Sequence, residues 1–297
     1  MAAYKKPSSD FYQEITNQII EALEAGVKPW VCPWDRTVVN GLPSNATTGN
    51  FYNGLNIMLL WMSATKQGFT SSSWVTAKQA SDLGGWVRKG EKGTRIFFYK
   101  MVQKTGSEDE DENEMYPMLK TFYVFNTEQI ENVQFEVTSE EVTKTDVERL
   151  EHVENFISRT GASISYKGQQ AYFSPSTDEI VIPELNRFNE TSDLYATVLH
   201  EITHWTGHKS RLNRDLKGKF GSKDYAFEEL VAELGCSFLM AGLGIVGEVQ
   251  HESYIASWLK ALKDDKRYIF KAASLASKSH QFLMDLVSED AKSKNVA

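Results

Sequence analysis

The chain has 297 residues, 41% of them apolar and 24% charged, with a net charge of −8. That balance suits a globular protein with a sizeable core, and the length fits two domains of ordinary size. Its two cysteines, Cys32 and Cys236, lie far apart, which excludes a disulfide framework and points to the cytoplasm. No run reaches the roughly 18–20 apolar residues of a membrane span, and the first fifteen residues lack a signal-peptide core. No membrane partner is expected. The acidic total also argues against a nucleic-acid binder, but it hides an asymmetry. Residues 1–103 carry 11 Lys/Arg against 7 Asp/Glu, and an acidic run at Glu108–Glu112 with Glu114 then reverses the balance.

In chain order, Phe11 to Ala25 has apolar residues at helical spacing, with Ser8, Ser9 or Asp10 as cap and Gly26 as stop. A loop with Pro29-Trp30 and Pro33-Trp34 follows. Helices are predicted at Asn53–Gln67 and Thr76–Leu83. Strands are predicted at Arg95–Met101 and Lys120–Phe125, with the acidic run as a solvated loop between them. The polar stretch from Val133 to Thr145 reads as a boundary, giving domains at 1–134 and 146–297. Beyond it come a helix at Asp146–Ser158 and a hairpin of Ala171–Phe173 with Glu179–Ile182. Further helices are expected at Asp193–Thr206, Ala226–Met240, Tyr254–Lys263 and Tyr268–Val287. The class is α+β.

His200-Glu201-Ile202-Thr203-His204 fits the HExxH pattern. On a helix, positions i and i+4 share a face, so both imidazoles can reach one zinc ion. Glu201 beside them suits a general base, because the metal brings the pKa of its bound water near neutrality. The pattern arises by chance in roughly one chain in a hundred of this length. Few chance matches would lie on a capped amphipathic helix, so metal binding is the stronger reading. A third ligand is needed. His208 follows Gly207, which ends the helix, and Ser210 stands where a metzincin would have histidine. The next helix offers Glu229 as ligand and Glu233 as the acid that orients a ligand histidine, the gluzincin arrangement, with Glu228 as rival to Glu229. The hairpin could pair with an extended peptide, and Tyr225 or Tyr254 could donate to an oxyanion.

From Trp86 to Lys100, Arg88, Lys89, Lys92 and Arg95 alternate with glycines and aromatics. Single-stranded nucleic acid is held by such surfaces, cations on the phosphates and aromatic faces on the bases. A buried strand would use the same aromatics for a core, so composition alone leaves both readings open.

Taken together, these motifs resemble the ArdC antirestriction proteins of conjugative plasmids. The resemblance rests on Phe11–Ile15, the two Pro-Trp pairs, Asn53–Asn56, Trp74–Gln79, Gly85–Gly93, Val124–Asn126, His200–His208 and Glu228–Gly235. It covers nearly the whole chain. It implies an N-terminal single-stranded DNA-binding domain like that of TraC-type primases. It also implies a C-terminal zincin-like, gluzincin-type metallopeptidase domain like that of ImmA and IrrE proteins. The implied role is protection of incoming plasmid DNA from host restriction during conjugation. Zinc would be the cofactor, other divalent ions being possible. The expected partners are single-stranded DNA and a protein substrate such as a host restriction enzyme. Two alternatives stand beside it: a regulatory peptidase of the ImmA kind that cleaves a repressor, and a non-catalytic DNA binder with a structural metal.

Overall fold

The computed structural model describes residues 10–32, 41–103, 115–135, 146–219, 221–247 and 254–294. The acidic run, Pro33-Trp34, most of the expected boundary stretch and His251 lie outside them. Helices and strands are both present, as expected for α+β. The described residues fall into two compact units, a larger one within Met1–Leu42, Asn53–Leu55 and Ser139–Ala297, and a smaller one within Pro43–Tyr52 and Asn56–Thr138.

The smaller unit is built on a four-stranded sheet ordered β1-β2-β5-β4. Its strands are β1 (Ser44–Asn45), β2 (Ser73–Val75), β4 (Thr94–Gln103) and β5 (Met115–Asn126). The two long strands pair antiparallel from Thr94 opposite Val124 to Gln103 opposite Met115, and both run past the limits expected from sequence. A two-stranded ribbon pairs β3 (Trp86–Val87) with β6 (Ile130–Glu131). Helix α2 (Leu55–Gln67) supplies Leu60 and Ala64, which pack with Trp74, Ile96 and Val124. Helix α3 (Ala77–Asp82) is shorter than a typical helix, and Thr76 with Gln79 closes a capping box at its start. At the outer edge of β4 one side chain pairs with the backbone of Phe97. Asn56 donates to the Phe97 carbonyl at 2.6 Å and accepts from the Phe97 amide at 3.1 Å, which satisfies both backbone groups of an edge strand.

The larger unit is mainly helical: α1 (Phe11–Glu24), α4 (Asp146–Thr160), α5 (Thr191–Thr206), α6 (Lys223–Leu243), α7 (Ile255–Asp264) and α8 (Tyr268–Lys294). The expected hairpin forms from β8 (Tyr172–Ser174) and β9 (Glu179–Ile182). It is joined by β7 (Ser163–Tyr166), which pairs parallel to β9 and was not foreseen. The core joins Val153, Phe156, Ile180, Ile182, Val198, Leu199, Ile202 and Leu239. Helix α5 starts two residues before the expected Asp193. Its cap is Glu190, which makes no side-chain bond. Helix α6 starts earlier than expected as well, because Ser222 accepts from the Tyr225 amide and fixes the first turn.

Packing divides the chain differently from the linear boundary. The first helix belongs with the C-terminal helices: Tyr12 lies 4.8 Å from Phe270 between ring centroids, and the Thr16 hydroxyl donates to the Lys266 carbonyl. Trp30, fully buried, packs edge-on against Trp258 and donates to Glu233 at 3.3 Å. Apolar periodicity identified α1 correctly but carries no information about which unit covers its apolar face.

Candidate functional site

Helix α5 carries His200, Glu201 and His204, and α6 crosses it with Glu228, Glu229 and Glu233. The crossing is tight because of Gly235. A Cβ there would stand 2.5 Å from the Thr203 methyl, inside van der Waals contact. The resulting approach brings one ligand atom each from His200, His204 and Glu229 within 4.8 Å of one another. His200 Nε2 lies 3.5 Å from one Glu229 oxygen, and His204 Nε2 lies 3.5 Å from the other. Ligands about 2.0–2.1 Å from a tetrahedral zinc stand about 3.4 Å apart, so the donor set fits a divalent ion in type and spacing.

Around this cluster lies a cavity of about 600 Å³. The hairpin supplies Tyr172 and Phe173 on one side, and Tyr225 and Tyr254 stand on the other; Glu201 also faces the space. Burial raises the pKa of Tyr225, reinforced by Tyr254 and the charge of Glu229, and burial likewise raises Tyr254. Both phenols therefore remain hydrogen-bond donors at neutral pH. Burial opposes charge on His204, but its contacts with Glu228 and Glu229 outweigh this and raise its pKa to about 10. Burial would likewise raise Glu229, yet His200 and His204 hold it far below the usual carboxylate range.

The two neighbouring glutamates separate cleanly. Glu229 joins the cluster, whereas Glu228 accepts from His204 Nδ1 at 3.1 Å on the opposite side of the ring. Glu228 thus makes an orienting contact with His204. Glu233 is buried one helical turn beyond Glu229 and accepts from Trp30. His208 bonds to Ser210 at 2.7 Å and is outside the ligand cluster.

The cations predicted for nucleic acid lie in the smaller unit. Arg88, Lys89 and Lys92 are exposed on the loop between β3 and β4, and Arg95 is half-buried opposite Tyr123 in the ladder. Gln129 holds that loop, donating to the Glu91 carboxylate and the Lys92 carbonyl. Gly93 is required there, since a Cβ would come 2.9 Å from the Phe125 ring. Trp86 and Tyr123 are more than half exposed, and Phe98 stacks on Phe122 at 4.8 Å with both rings partly open to solvent. Trp61 and Trp74 are core residues and Trp30 belongs to the larger unit.

Residues 9–125 match a family model described as the N-terminal domain of anti-restriction factor ArdC, and residues 151–275 match a zincin-like metallopeptidase model. The metal-free crystal structure of the antirestriction ArdC protein from plasmid R388 aligns with a TM-score of 0.80 at 39% identity, covering 95% of this chain and 99% of that one. The chain belongs to the ArdC antirestriction family. An Mn(II)-bound structure of the same R388 ArdC protein aligns with a TM-score of 0.78 at 40% identity, over 94% and 98% of the two chains. Uncharacterized protein y4eC of Sinorhizobium fredii is 38% identical over 90% of this chain and 89% of its own. DNA primase TraC of Escherichia coli is 38% identical over 94% of this chain, which spans only 20% of that protein. In this ArdC-family chain no described helix is long and apolar enough to cross a membrane. Sequence reasoning missed Arg214, which sits at no motif spacing, and marked Trp30 only as part of a Pro-Trp pair, with no link to Glu233.

Proposed function

We propose that this ArdC-family protein acts in the cytoplasm on incoming plasmid DNA, binding single strands through its smaller unit and shielding them from host restriction. We further propose that the larger unit is a zinc-type peptidase centre with His200, His204 and Glu229 as ligands and Glu201 as general base. The observation that carries the second reading is the convergence of three donors, two of them buried, with spacings suited to one ion. A divalent ion held there would acidify a bound water and polarise a substrate carbonyl. Glu201 faces the cavity and would accept the proton released. Tyr225 and Tyr254, kept protonated, would donate to the oxygen on which charge develops. The exposed edge hairpin at Tyr172 and Phe173 would align an extended chain along the cavity.

Exposed cations beside open aromatic rings support the DNA reading. Changing Arg88, Lys89, Lys92 and Arg95 to alanine should weaken single-stranded DNA binding and flatten its salt dependence. A salt-insensitive complex of the wild-type protein would contradict this reading. The metal centre is tested by elemental analysis of wild type, His204→Ala and Glu229→Ala after Mn(II) or Zn(II) loading. Near-stoichiometric metal in wild type and its loss in both variants are expected. Equal retention in Glu229→Ala would remove that residue from the ligand set.

A further inference from the structure

The loop after α5 returns to the metal cluster through one side chain. Arg214 is buried, with 4% of its side chain exposed. Its Nε lies 3.2 and 3.1 Å from the two Glu228 oxygens, and its Nη2 donates to one of them at 2.7 Å. The remaining N–H groups go to the Thr203 carbonyl at 2.7 Å, the Thr206 hydroxyl at 2.7 Å and the Ser279 hydroxyl at 2.8 Å. All five guanidinium donors are thereby used. One side chain fastens α5, α6 and α8 together beside the ion cluster.

Two features show that the loop is built for this insertion. Gly207, which closes α5, leaves the space: a Cβ there would stand 2.9 Å from Arg214 Nη2. The backbone is tied back to the helix end, with the Arg214 amide donating to the Gly207 carbonyl and Leu212 to Thr206. The glycine three residues after the second motif histidine thus has a steric reason of its own.

We infer that Arg214 is a positioning residue that assigns the roles of the two adjacent glutamates. It holds both oxygens of Glu228, so that carboxylate is committed to the Nδ1 side of His204. The ring is then fixed with Nδ1 as donor and Nε2 turned toward Glu229, which stays on the ligand side. Both Glu228 oxygens accept N–H groups of Arg214, and one of them also faces His204 Nδ1. A carboxylate–imidazole pair of this kind sets ring orientation and donor strength at metal sites. This inference rests on the metal-centre reading above.

The test is a double-variant cycle on the full chain, reading Mn(II) affinity by titration and melting temperature in chelator. Arg214→Met and Glu228→Gln should each weaken Mn(II) binding about tenfold or more. The double variant should be no weaker than the worse single variant, because the two residues act as one chain. Arg214→Lys keeps the charge without the fork and should lose part of the affinity; it also serves if Arg214→Met does not fold. Unchanged affinity in the Arg214 variants, with only a lower melting temperature, would reduce Arg214 to a structural clamp and overturn the inference. Losses that multiply in the double variant would overturn it as well. A wild-type chain that holds no Mn(II) would remove the metal-centre reading itself, an outcome visible before any variant is made.

Discussion

Adjacent helix positions point about 100° apart, so of Glu228 and Glu229 only one can face a given ion. The sequence placed both on one helix and favoured Glu229 with Glu228 as rival, but the side each faces is set by the angle at which α6 crosses α5. The HExxH residues were legible because their spacing is itself the geometry. Arg214 was not, since a contact across a loop follows no period. The close crossing makes Gly235 a sensitive position. Gly235→Ala would put a methyl 2.5 Å from the Thr203 methyl, and overpacking of this kind costs about 1–3 kcal/mol. We expect a lower melting temperature together with weaker Mn(II) binding, since α5 and α6 each carry proposed ligands. Thr203→Ser, which removes the offending methyl, should recover part of both. At Glu201 the expectation is different. Glu201→Ala should retain the metal and lose any peptide cleavage, and cleavage at wild-type rate would exclude Glu201 as the base.

At the scale of elements, long periodic helices and the two long strands were legible in the sequence, with ends displaced by a few residues. Strands β1, β2, β3, β6 and β7 were not, because two to four residues carry no periodicity and their partners are distant. Helix α8 contains one titratable group in an unfavourable place. His280 is only partly covered as a residue, but its Nε2 is buried with no hydrogen-bond partner among the described residues, and burial lowers its pKa to about 4. The folded form therefore holds a neutral ring, whereas the unfolded chain protonates near 6.5. Its contribution to stability is complete above pH 6.5 and is lost as pH falls toward 4, on the order of 3 kcal/mol in all. His280→Leu should narrow the gap in melting temperature between pH 7 and pH 4.5. An equal acid shift in variant and wild type would exclude His280 as the cause.

For the whole molecule, a linear reading of domains at 1–134 and 146–297 meets a partition by packing in which the start of the chain joins the larger unit. Helix α1 buries Ile15, Ile19, Ile20 and Leu23 there, and Trp30 reaches Glu233. Residues 146–297 expressed alone should melt lower and aggregate more readily than the same residues preceded by 1–42 through a flexible linker. Equal melting of the two would show that the first segment is dispensable. The same arrangement sets a timetable for synthesis. Trp30 and Glu233 are 203 residues apart in the chain, and at about 5–20 residues per second a ribosome takes roughly 10–40 s to make the stretch between them. Throughout that interval α1 waits without its final partners, while the smaller unit, which ends at Thr138, gains its whole sequence about midway through. The smaller unit can close first, and the larger becomes complete only when the last helices reach back for the first.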